Sequence, residues 1–330
     1  MLLLLAKAVV VAAGEPAVPV RSQHCLRDQL AGGAGEGPFT ARDAFMLGDV
    51  RSGRLLWWYN RKLLAGRAWQ PGSVFKLVVT YSLLVDRHLD PASVYDCRGN
   101  GNRDPGTNLP RCWLRYGHGA VNLARALAVS CNLYFAHYGS LLGAEAILRQ
   151  ARNLGLGRKT GTDLGGEVAG SLPRALGDDE MGRFATGQHP RLLVTAAQLF
   201  SLMAAIANGG ELVAPMIAGG EIHPPAGPPN AQVLDFIRRA LVQASLAGTG
   251  REQRLDRFLL AGKTGTAGWP ETPWITHAWY VGFFPWDDPR LVLVVFKARG
   301  TGSHEAAGAA AWVMERYLRA RQACQTKGRP

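Results

Sequence analysis

The sequence predicts an α+β fold of the α/β sandwich type, in which an antiparallel β-sheet is built from both chain ends and is flanked by helices. Two observations support this prediction. Apolar runs of strand character lie near residue 45 and again beyond residue 257, and a segment of helical periodicity, about residues 80–210, separates them. That segment is expected to form an inserted helical subdomain. With 330 residues, 47% of them hydrophobic, the chain can bury one substantial core.

The first element, residues 1–20, is expected to be a signal peptide or membrane-targeting segment. Its apolar stretch is interrupted by Lys7 and is shorter than the ~17 to 20 residues of a membrane span. The small residues Ala12–Gly14 suit cleavage, although the usual basic segment before the apolar stretch is missing. A longer anchor upstream of a misassigned start would look the same. Residues 21–41 are expected to be a linker, 42–322 the folded domain and 323–330 a tail.

The folded domain is expected to begin with a β-hairpin and a helix. The segment AFMLGDVRSGRLLWWYN has apolar runs on both sides of Asp49–Gly53, which is typical of two strands joined by a glycine-containing turn. After Pro71 and Gly72, the segment SVFKLVVTYSLLVDRHL carries apolar residues at helical spacing. Ser73 therefore stands at or near the N-terminus of the first long helix.

The remaining elements are helices broken by turns, then three strands and a closing helix. In VTAAQLFSLMAAIANGG, Thr195 is a natural N-cap and Asn208–Gly210 a natural stop. The helical segment QVLDFIRRALVQA precedes three β-rich runs, RFLLAGKTGTA, HAWYVGFFP and RLVLVVFKARG. The alanine-rich, amphipathic SHEAAGAAAWVMERYLRAR predicts the last helix.

The charge balance restricts the classes of partner. The chain has 37 basic and 25 acidic residues, and only seven of the basic residues are lysine. A net charge of +12 favours an anionic membrane surface or anionic polymer as partner, or reflects only a GC-rich genome. No basic run interleaved with aromatic residues is present, so nucleic acid is not an expected partner.

The five cysteines indicate neither a metal site nor a cofactor. They form no CxxC pair and no Cys/His spacing typical of a metal site. If the chain is exported, Cys97 and Cys112, which flank a Gly/Asn/Asp/Pro-rich loop, can form a disulfide worth roughly 3 kcal/mol by the chain-entropy estimate. The alternative is two free thiols.

Ser73 and Lys76 form the first chemical motif, the only SxxK in the chain. Residues three apart on a helix share one face, so a hydroxyl and an amine lie one turn apart. Lysine can take the proton of a serine only if its amine is neutral near pH 7, which requires burial or a second cation. Alone, the motif is weak, because most such pairs are solvated.

Ser130 and Asn132 form the second motif, the only SxN, between two helical segments. An extended step directs side chains i and i+2 to the same side, so both can project into one cleft. The hydroxyl can relay a proton and the amide can hold a peptide backbone. The alternative is that both residues serve as helix caps.

The third motif, KTGT, occurs twice. The copy at Lys159 follows a helix ending in Asn-Leu-Gly-Leu-Gly and is interpreted as a turn. The copy at Lys263 follows an apolar run and precedes another strand, so Lys263 and Gly265 share one face of a strand. There the lysine brings positive charge, and the bare glycine lets a substrate backbone pair with the strand edge.

In this order, the three motifs match the SxxK, SxN-like and KTG set of penicillin-binding proteins and class A β-lactamases. Residues 39–320 resemble the transpeptidase domain of the class B penicillin-binding proteins, which are serine acyl-transferases with the β-lactamase/transpeptidase-like fold. Seven phrases carry the likeness: Pro71–Lys76, Gly117–Gly119, Ala128–Asn132, Thr162–Glu167, Thr186–Gln188, Ala207–Gly210 and His277–Pro285.

The resemblance implies acyl transfer on peptidoglycan stem peptides that end in D-alanyl-D-alanine, with β-lactams as substrate mimics, and no cofactor. Ser73 would attack, Lys76 would take its proton and Ser130 would pass a proton to the leaving amine. Lys263 would bind the substrate carboxylate and help to keep Lys76 neutral. The backbone N–H groups of Ser73 and Thr266 would form the oxyanion hole, and Asn132, Thr264, Gly265 and Thr266 would bind substrate.

Several alternatives stay open. His118 and His137 invite a Ser-His-Asp interpretation, but the GxSxG motif is absent and both are expected to be structural. Glu167 invites comparison with the carboxylate that deacylates class A β-lactamases, but its Gly-Gly-Glu-Val-Ala-Gly setting resembles a turn of the penicillin-binding proteins, and no catalytic role is expected for it. A DD-carboxypeptidase or a class D-like serine β-lactamase would use the same residues, and a β-lactam sensor domain would acylate without turnover. The expected location is the periplasm or the outer face of the cytoplasmic membrane, with cell-wall synthesis proteins as further partners.

Overall fold

A five-stranded antiparallel sheet organises the fold in the order β2–β1–β7–β6–β5. The computed structural model describes residues 25–26, 28–30, 37–85, 87–102, 111–218, 229–268 and 274–326. The sheet strands are β1 Ala44–Asp49, β2 Leu55–Tyr59, β5 Ala261–Gly268, β6 Thr276–Phe284 and β7 Leu291–Lys297. Because β1 pairs with β7, both chain ends contribute to one sheet, as the sequence predicts.

The region between β2 and β5 is mainly helical. Its helices are α1 Arg61–Gly66, α2 Lys76–Val85, α3 Leu123–Ala128, α4 Asn132–Leu142, α5 Ala144–Asn153, α6 Asp178–Ala185, α7 Ala196–Asn208 and α8 Ala231–Ala247. It also holds an antiparallel ladder of β3 Tyr95–Cys97 and β4 Gly119–Val121, so the inserted subdomain is not wholly helical. Helix α7 begins and ends as predicted, because Thr195 caps its first turn and Gly209 adopts a left-handed conformation at its end.

Hydrophobic cores cover both faces of the sheet. In β1, Met46 packs in the core under the helical insertion, whereas Phe45 and Leu47 pack in the core on the opposite face. The same alternation continues in β7, where Val294 and Val295 face opposite cores. The sheet is therefore buried between the insertion and the closing helix α9, Ala307–Thr326.

The expected linker 21–41 and tail 323–330 are partly integrated into the domain, which differs from the predicted boundaries. Leu26 and Leu30 are each only 2% exposed and pack in the same core as α9. A disulfide joins Cys25 to Cys324 within α9. The reason is the alanine-rich face of α9, which leaves room for these leucines. Residues 1–20, the expected targeting segment, lie outside the described residues. Within the part of the chain that the structure describes, no helix is both long and apolar enough to cross a membrane.

Two local predictions were wrong. The expected Cys97–Cys112 disulfide is absent from the structure: both residues are buried free thiols, and each lies beside His118, at 3.6 and 3.3 Å from its Nδ1. The strand that contains Lys263 also begins later in the sequence than predicted. Leu259 adopts a left-handed conformation with φ 53°, so the chain turns there and β5 starts at Ala261.

Candidate active site

The three sequence motifs meet at one cleft. A cavity of about 680 Å³ lies between the insertion and β5. It is lined by five of the predicted site residues, Ser73, Ser130, Asn132, Thr264 and Thr266. Lys76 and Lys263 lie behind this lining and are 0% exposed. The folded chain thus brings together residues up to about 190 positions apart, as the motif order predicts.

Ser73 lies in a short 3-10 turn, Gly72–Phe75, that leads directly into α2. Gly72 has φ 53°, and its N–H donates to the Gly187 carbonyl at 3.0 Å. A Cβ on Gly72 would lie 2.5 Å from the Thr266 carbonyl oxygen and 2.8 Å from the Thr266 nitrogen. Only glycine permits this approach, so the nucleophile turn rests against the backbone of β5.

A hydrogen-bond network joins both lysines to the second motif. Lys76 Nζ donates to the Ser130 carbonyl at 2.8 Å, to Ser130 Oγ at 3.2 Å and to Asn132 Oδ1 at 2.7 Å. Lys263 Nζ donates to the same Ser130 Oγ at 2.8 Å. Among the residues that the structure describes, no hydrogen bond joins Ser73 to Lys76. Ser130 therefore bridges two buried amines in the cleft that Ser73, the predicted nucleophile, also lines.

Burial makes both amines unusually acidic. Complete desolvation lowers the pKa of Lys76 to about 7, partly offset by the nearby Cys131 and Cys112. Desolvation and the charge of Lys76 lower the pKa of Lys263 well below its ordinary value. Two ammonium groups that share one hydroxyl repel each other, which favours a neutral amine at one of them near pH 7. That neutral amine can accept a proton.

Ser130 reaches the network through a strained turn, not through the extended step expected from the sequence. It has φ 56°, a left-handed conformation that non-glycine residues rarely adopt. Cys131 follows as the extended N-cap of α4, and Asn132 is its first residue. The Asn132 amide also donates to the Arg111 carbonyl at 2.9 Å. The turn between α3 and α4 thus turns Ser130 and Asn132 towards Lys76.

Strand β5 supplies one wall of the cleft, but Gly265 has a different role from the predicted one. A Cβ at Gly265 would lie 2.6 Å from the Pro71 carbonyl oxygen and 2.9 Å from Val74 Cγ2. The glycine therefore leaves room for the nucleophile turn, not for a substrate backbone. Thr264 and Thr266, on the other face of the strand, line the cleft.

Three cleft residues were missed by motif reasoning. Gln188 donates to the Thr266 carbonyl at 2.9 Å, and the hydroxyl of Thr264 donates to that of Thr249 at 2.8 Å. Trp113, which is 59% exposed, lines the cleft and donates to the Val129 carbonyl. Only Gln188 had a signal, because it lies in one of the seven phrases that carry the resemblance.

The second KTGT copy lies away from this cleft. Lys159 is exposed, and the Glu167 carboxylate accepts hydrogen bonds from the backbone and hydroxyl of Thr160. Glu167 thereby stabilises a turn, in agreement with its expected role. His137 packs against Tyr95 and Tyr138 and does not line the cleft.

Four potential metal ligands adjoin the cleft, although the sequence spacing indicated none. The thiols of Cys97, Cys112 and Cys131 and the ring of His118 place their ligand atoms within 4.8 Å of one another. This set is named here the Cys3His cluster. Hydrogen bonding from Cys131 and from His118 lowers the pKa of Cys112. Cys131 lies between the two motif residues Ser130 and Asn132, so the cluster is directly connected to the site.

Comparison with known proteins identifies the family. Residues 44–317 match the family model of the penicillin binding protein transpeptidase domain. The chain is 33% identical over 276 residues to stage V sporulation protein D of Bacillus subtilis, covering 77% of this chain and 42% of that protein. It is 26% identical over 298 residues to the peptidoglycan D,D-transpeptidase MrdA of Acinetobacter baumannii, covering 80% and 44%. The chain thus spans less than half the length of these curated relatives.

Solved structures show the same fold. The transpeptidase domain of Burkholderia pseudomallei penicillin-binding protein 3 superposes with a TM-score of 0.75 at 22% identity, covering 93% of this chain and 98% of that one. Helicobacter pylori PBP2, in its complex with MreC, gives 0.75 at 22% identity, with coverage of 90% and 62%. Because the family model matches most of the chain, residues 44–317, the chain belongs to the penicillin binding protein transpeptidase domain family.

Proposed function

We propose that the chain is a serine DD-transpeptidase that acts on D-Ala-D-Ala stem peptides of peptidoglycan through an acyl-enzyme at Ser73 and is acylated there by β-lactams. One observation supports this most strongly. Two wholly buried lysines, Lys76 and Lys263, both donate to Ser130 Oγ beside a serine at the start of a helix. Such an arrangement provides a neutral base and a proton relay near pH 7.

In the proposed acylation, Ser73 Oγ attacks the carbonyl carbon of the penultimate D-alanine, and neutral Lys76 accepts the hydroxyl proton. The resulting oxyanion lies between the backbone N–H groups of Ser73 and Thr266. The contact between Gly72 and the Thr266 backbone supports this pairing. Loss of one such donor typically costs ~3 to 4 kcal/mol of transition-state stabilisation.

Collapse of the intermediate breaks the peptide bond. Ser130 gives its proton to the leaving D-alanine amine and regains one from a lysine that donates to it. An acceptor amine then attacks the acyl-enzyme, loses its proton along the reverse route and releases Ser73. Over the whole cycle, one amide bond is broken and another is formed.

Substrate placement follows from the position of β5. This strand is at the edge of the described sheet, with β6 on one side, so an extended peptide can pair with the backbone groups of its other edge that Gln188, bound to the Thr266 carbonyl, leaves free. The hydroxyls of Thr264 and Thr266 line the cleft along that strand. Lys263 contributes positive charge from behind it, and we propose that this attracts the terminal carboxylate of the stem peptide.

We further propose that the domain works outside the cytoplasm with cell-wall synthesis proteins. The Cys25–Cys324 disulfide supports export, because disulfides persist in oxidising compartments. The net charge of +12 favours an anionic surface nearby, such as a membrane. A solved complex of Helicobacter pylori PBP2 with MreC shows one relative of this fold bound to another protein.

The proposal is tested by incubating the purified chain with a fluorescent penicillin and following both labelling and release. We expect stable labelling that is lost in Ser73→Ala and in Lys76→Ala. The matched control is Lys159→Ala, which changes the lysine of the exposed KTGT copy and should label normally. Release within seconds would indicate a β-lactamase. Absence of labelling, or labelling that persists in Ser73→Ala, would refute Ser73 as the nucleophile.

A further inference from the structure

Besides the cleft, the described residues form a cavity of about 520 Å³ beside the end of β7 and the start of β6. Its lining comes from four parts of the chain: the segment before β1, the region of α1, the residue before β6 and the end of β7. None of these residues also lines the active-site cleft. This cavity, named here the arginine cavity, is therefore a separate site that no step of the proposed function uses.

Three arginines, Arg42, Arg67 and Arg299, line the arginine cavity, and its lining contains no acidic residue. All three are exposed, and among the residues that the structure describes no ion pair or hydrogen bond engages their guanidinium groups. Asp43, the neighbour of Arg42, is only 2% exposed, and its carboxylate accepts a hydrogen bond from Lys297 at 2.7 Å. Within the described chain, the cavity thus carries three positive charges that no carboxylate balances.

The apolar part of the lining is aromatic and firmly held. The rings of Trp69 and Phe296 are stacked, with centroids 4.1 Å apart, and both side chains are buried. The backbone of Trp69 also exchanges two hydrogen bonds with that of Val194, at 2.9 and 2.8 Å. Leu63 and Ile275 add aliphatic surface. A ligand with an aromatic or aliphatic group can therefore bury that group here without rearranging the protein.

The charges indicate the polar part of the ligand. Guanidinium groups bind phosphate and carboxylate through pairs of parallel hydrogen bonds. A phosphate monoester near pH 7 carries ~1.5 to 2 negative charges on three acceptor oxygens, whereas a carboxylate carries about one charge on two oxygens. Three arginines around one cavity match the phosphate better. The cavity volume is within the range of about 300 to 1,000 Å³ that is typical of small-molecule sites.

We propose that the arginine cavity binds a phosphate monoester that carries an apolar group. Arg42, Arg67 and Arg299 bind the phosphate, and the apolar group packs against Trp69 and Phe296. Such a ligand has two sources, a soluble phosphate ester and the headgroup of a lipid such as phosphatidic acid. The inference is independent of the proposed function, because binding here requires neither Ser73 nor the buried lysines.

The first test is calorimetric titration of the full chain with phenyl phosphate. We expect one saturable site, and inorganic phosphate, which lacks the ring, should bind at least about tenfold more weakly. Arg67→Gln and Arg299→Gln should each raise the Kd for phenyl phosphate at least about tenfold, since each removes a charged hydrogen-bond donor. The matched control is Arg152→Gln, an exposed arginine of α5 that lines neither cavity, and its Kd should be unchanged.

Three results would overturn the site: no saturable binding of phenyl phosphate at millimolar concentration, an unchanged Kd in both cavity variants, or an equal loss of affinity in Arg152→Gln. Equal affinity for inorganic phosphate and phenyl phosphate would overturn the aromatic part of the proposal. Because all three arginines are exposed, thermal unfolding should show that the variants remain folded.

The second test identifies the source of the ligand by competition with phosphatidylcholine vesicles that contain phosphatidic acid, a monoester, or an equal charge of phosphatidylglycerol, a diester. If only the phosphatidic acid vesicles displace phenyl phosphate, the ligand is a lipid headgroup. If neither vesicle displaces it, the ligand is a soluble phosphate ester. In both cases the displacement or retention must be measured against Arg67→Gln, in which phenyl phosphate should no longer bind the cavity tightly.

Discussion

At the scale of single residues, the shared hydroxyl of Ser130 decides how the two buried lysines behave. Both amines donate to it, and both lysine side chains are 0% exposed. In the proposed mechanism, the Ser130 hydroxyl accepts a hydrogen bond from one protonated amine and donates its own proton to the leaving group.

The acylation rate is predicted to depend on the protonation of Lys76. Burial lowers its pKa to about 7, so the neutral base is scarce below that pH and abundant above it. The titratable groups around it are Lys263, through Ser130, and the thiols of Cys112 and Cys131. The rate of penicillin labelling should rise about tenfold per pH unit below pH 7 and level off above it.

The control for this pH profile is Lys159→Ala, whose lysine is exposed and distant from the cleft. Its profile should superimpose on that of the unchanged chain. A labelling rate that is constant from about pH 5 to 9, or that falls as pH rises, would contradict Lys76 as the base.

Ser130 offers a second prediction, which separates chemistry from backbone strain. Ser130→Ala and Ser130→Gly both remove the hydroxyl, so both should acylate far more slowly than the unchanged chain. At φ 56° glycine is favoured over alanine by about 1 kcal/mol, so Ser130→Gly should be the more stable variant in denaturant unfolding. Equal stability of the two variants would show that the turn carries no strain.

The placement of site residues was predictable where the motif is local, as for Ser73 and Lys76, whose spacing along the chain fixes their spacing in space. The roles of Gly265 and of the Cys3His cluster were not. Position 265 has room only for glycine because a turn almost 200 residues earlier in the chain packs against it. The cluster joins four segments with no regular spacing in the sequence. Such contacts depend on tertiary structure alone.

At the scale of elements, the contact of the turn Gly72–Phe75 with β5 fixes the position of Ser73, the proposed nucleophile, relative to the Thr266 backbone, the proposed oxyanion-hole donor. Gly72 on one side and Gly265 on the other allow the two backbones to meet without intervening side chains. A side chain at either glycine would separate the two backbones and move Ser73 away from the Thr266 backbone.

Gly265→Ala is therefore predicted to slow acylation by about 100-fold, because its Cβ would lie 2.6 Å from the Pro71 carbonyl oxygen and a displacement of about 1 Å has that effect. The measurement is the rate of penicillin labelling. Gly308→Ala in α9 is the matched control, since its Cβ would meet only the Gln253 side chain at 3.4 Å. Similar rates in both variants would mean that the turn can shift without consequence.

Element types were well predicted and element limits less so. Thr195 and Gly209 mark the two ends of α7 because capping chemistry is local. The strand limit before Lys263 was predicted too early, since Leu259 interrupts an apolar run with a left-handed residue. A run of apolar residues indicates that the segment is buried, but burial alone does not distinguish a strand from a turn packed in the core.

At the scale of the whole molecule, the disulfide between Cys25 and Cys324 ties the first described segment to the last helix, 299 residues away. It lies on the sheet face opposite the insertion, in the core that contains Leu26, Leu30 and α9. The predicted linker and tail were placed outside the domain because polar, glycine-rich composition does not reveal a few leucines that pack against a distant helix.

Removing this disulfide is predicted to lower stability and spare activity. For Cys25→Ser/Cys324→Ser, the loss in free energy of unfolding should be up to about 6 kcal/mol by the chain-entropy model, measured by chemical denaturation. Penicillin labelling of the folded variant should proceed at the rate of the unchanged chain. If the variant kept its full stability but was labelled more slowly, the disulfide on one face of the sheet would be shown to affect the cleft on the other face, which would contradict this prediction.

The pairing of β1 with β7 has a consequence for biogenesis. Synthesis releases Ala44–Asp49 first, but the neighbour of this strand, Leu291–Lys297, emerges more than 240 residues later. During that interval the early hairpin presents an unpaired apolar edge, which is a template for aggregation. Newly made chains should therefore depend on a holdase chaperone until the final strand arrives, and fragments that stop before residue 291 should be insoluble.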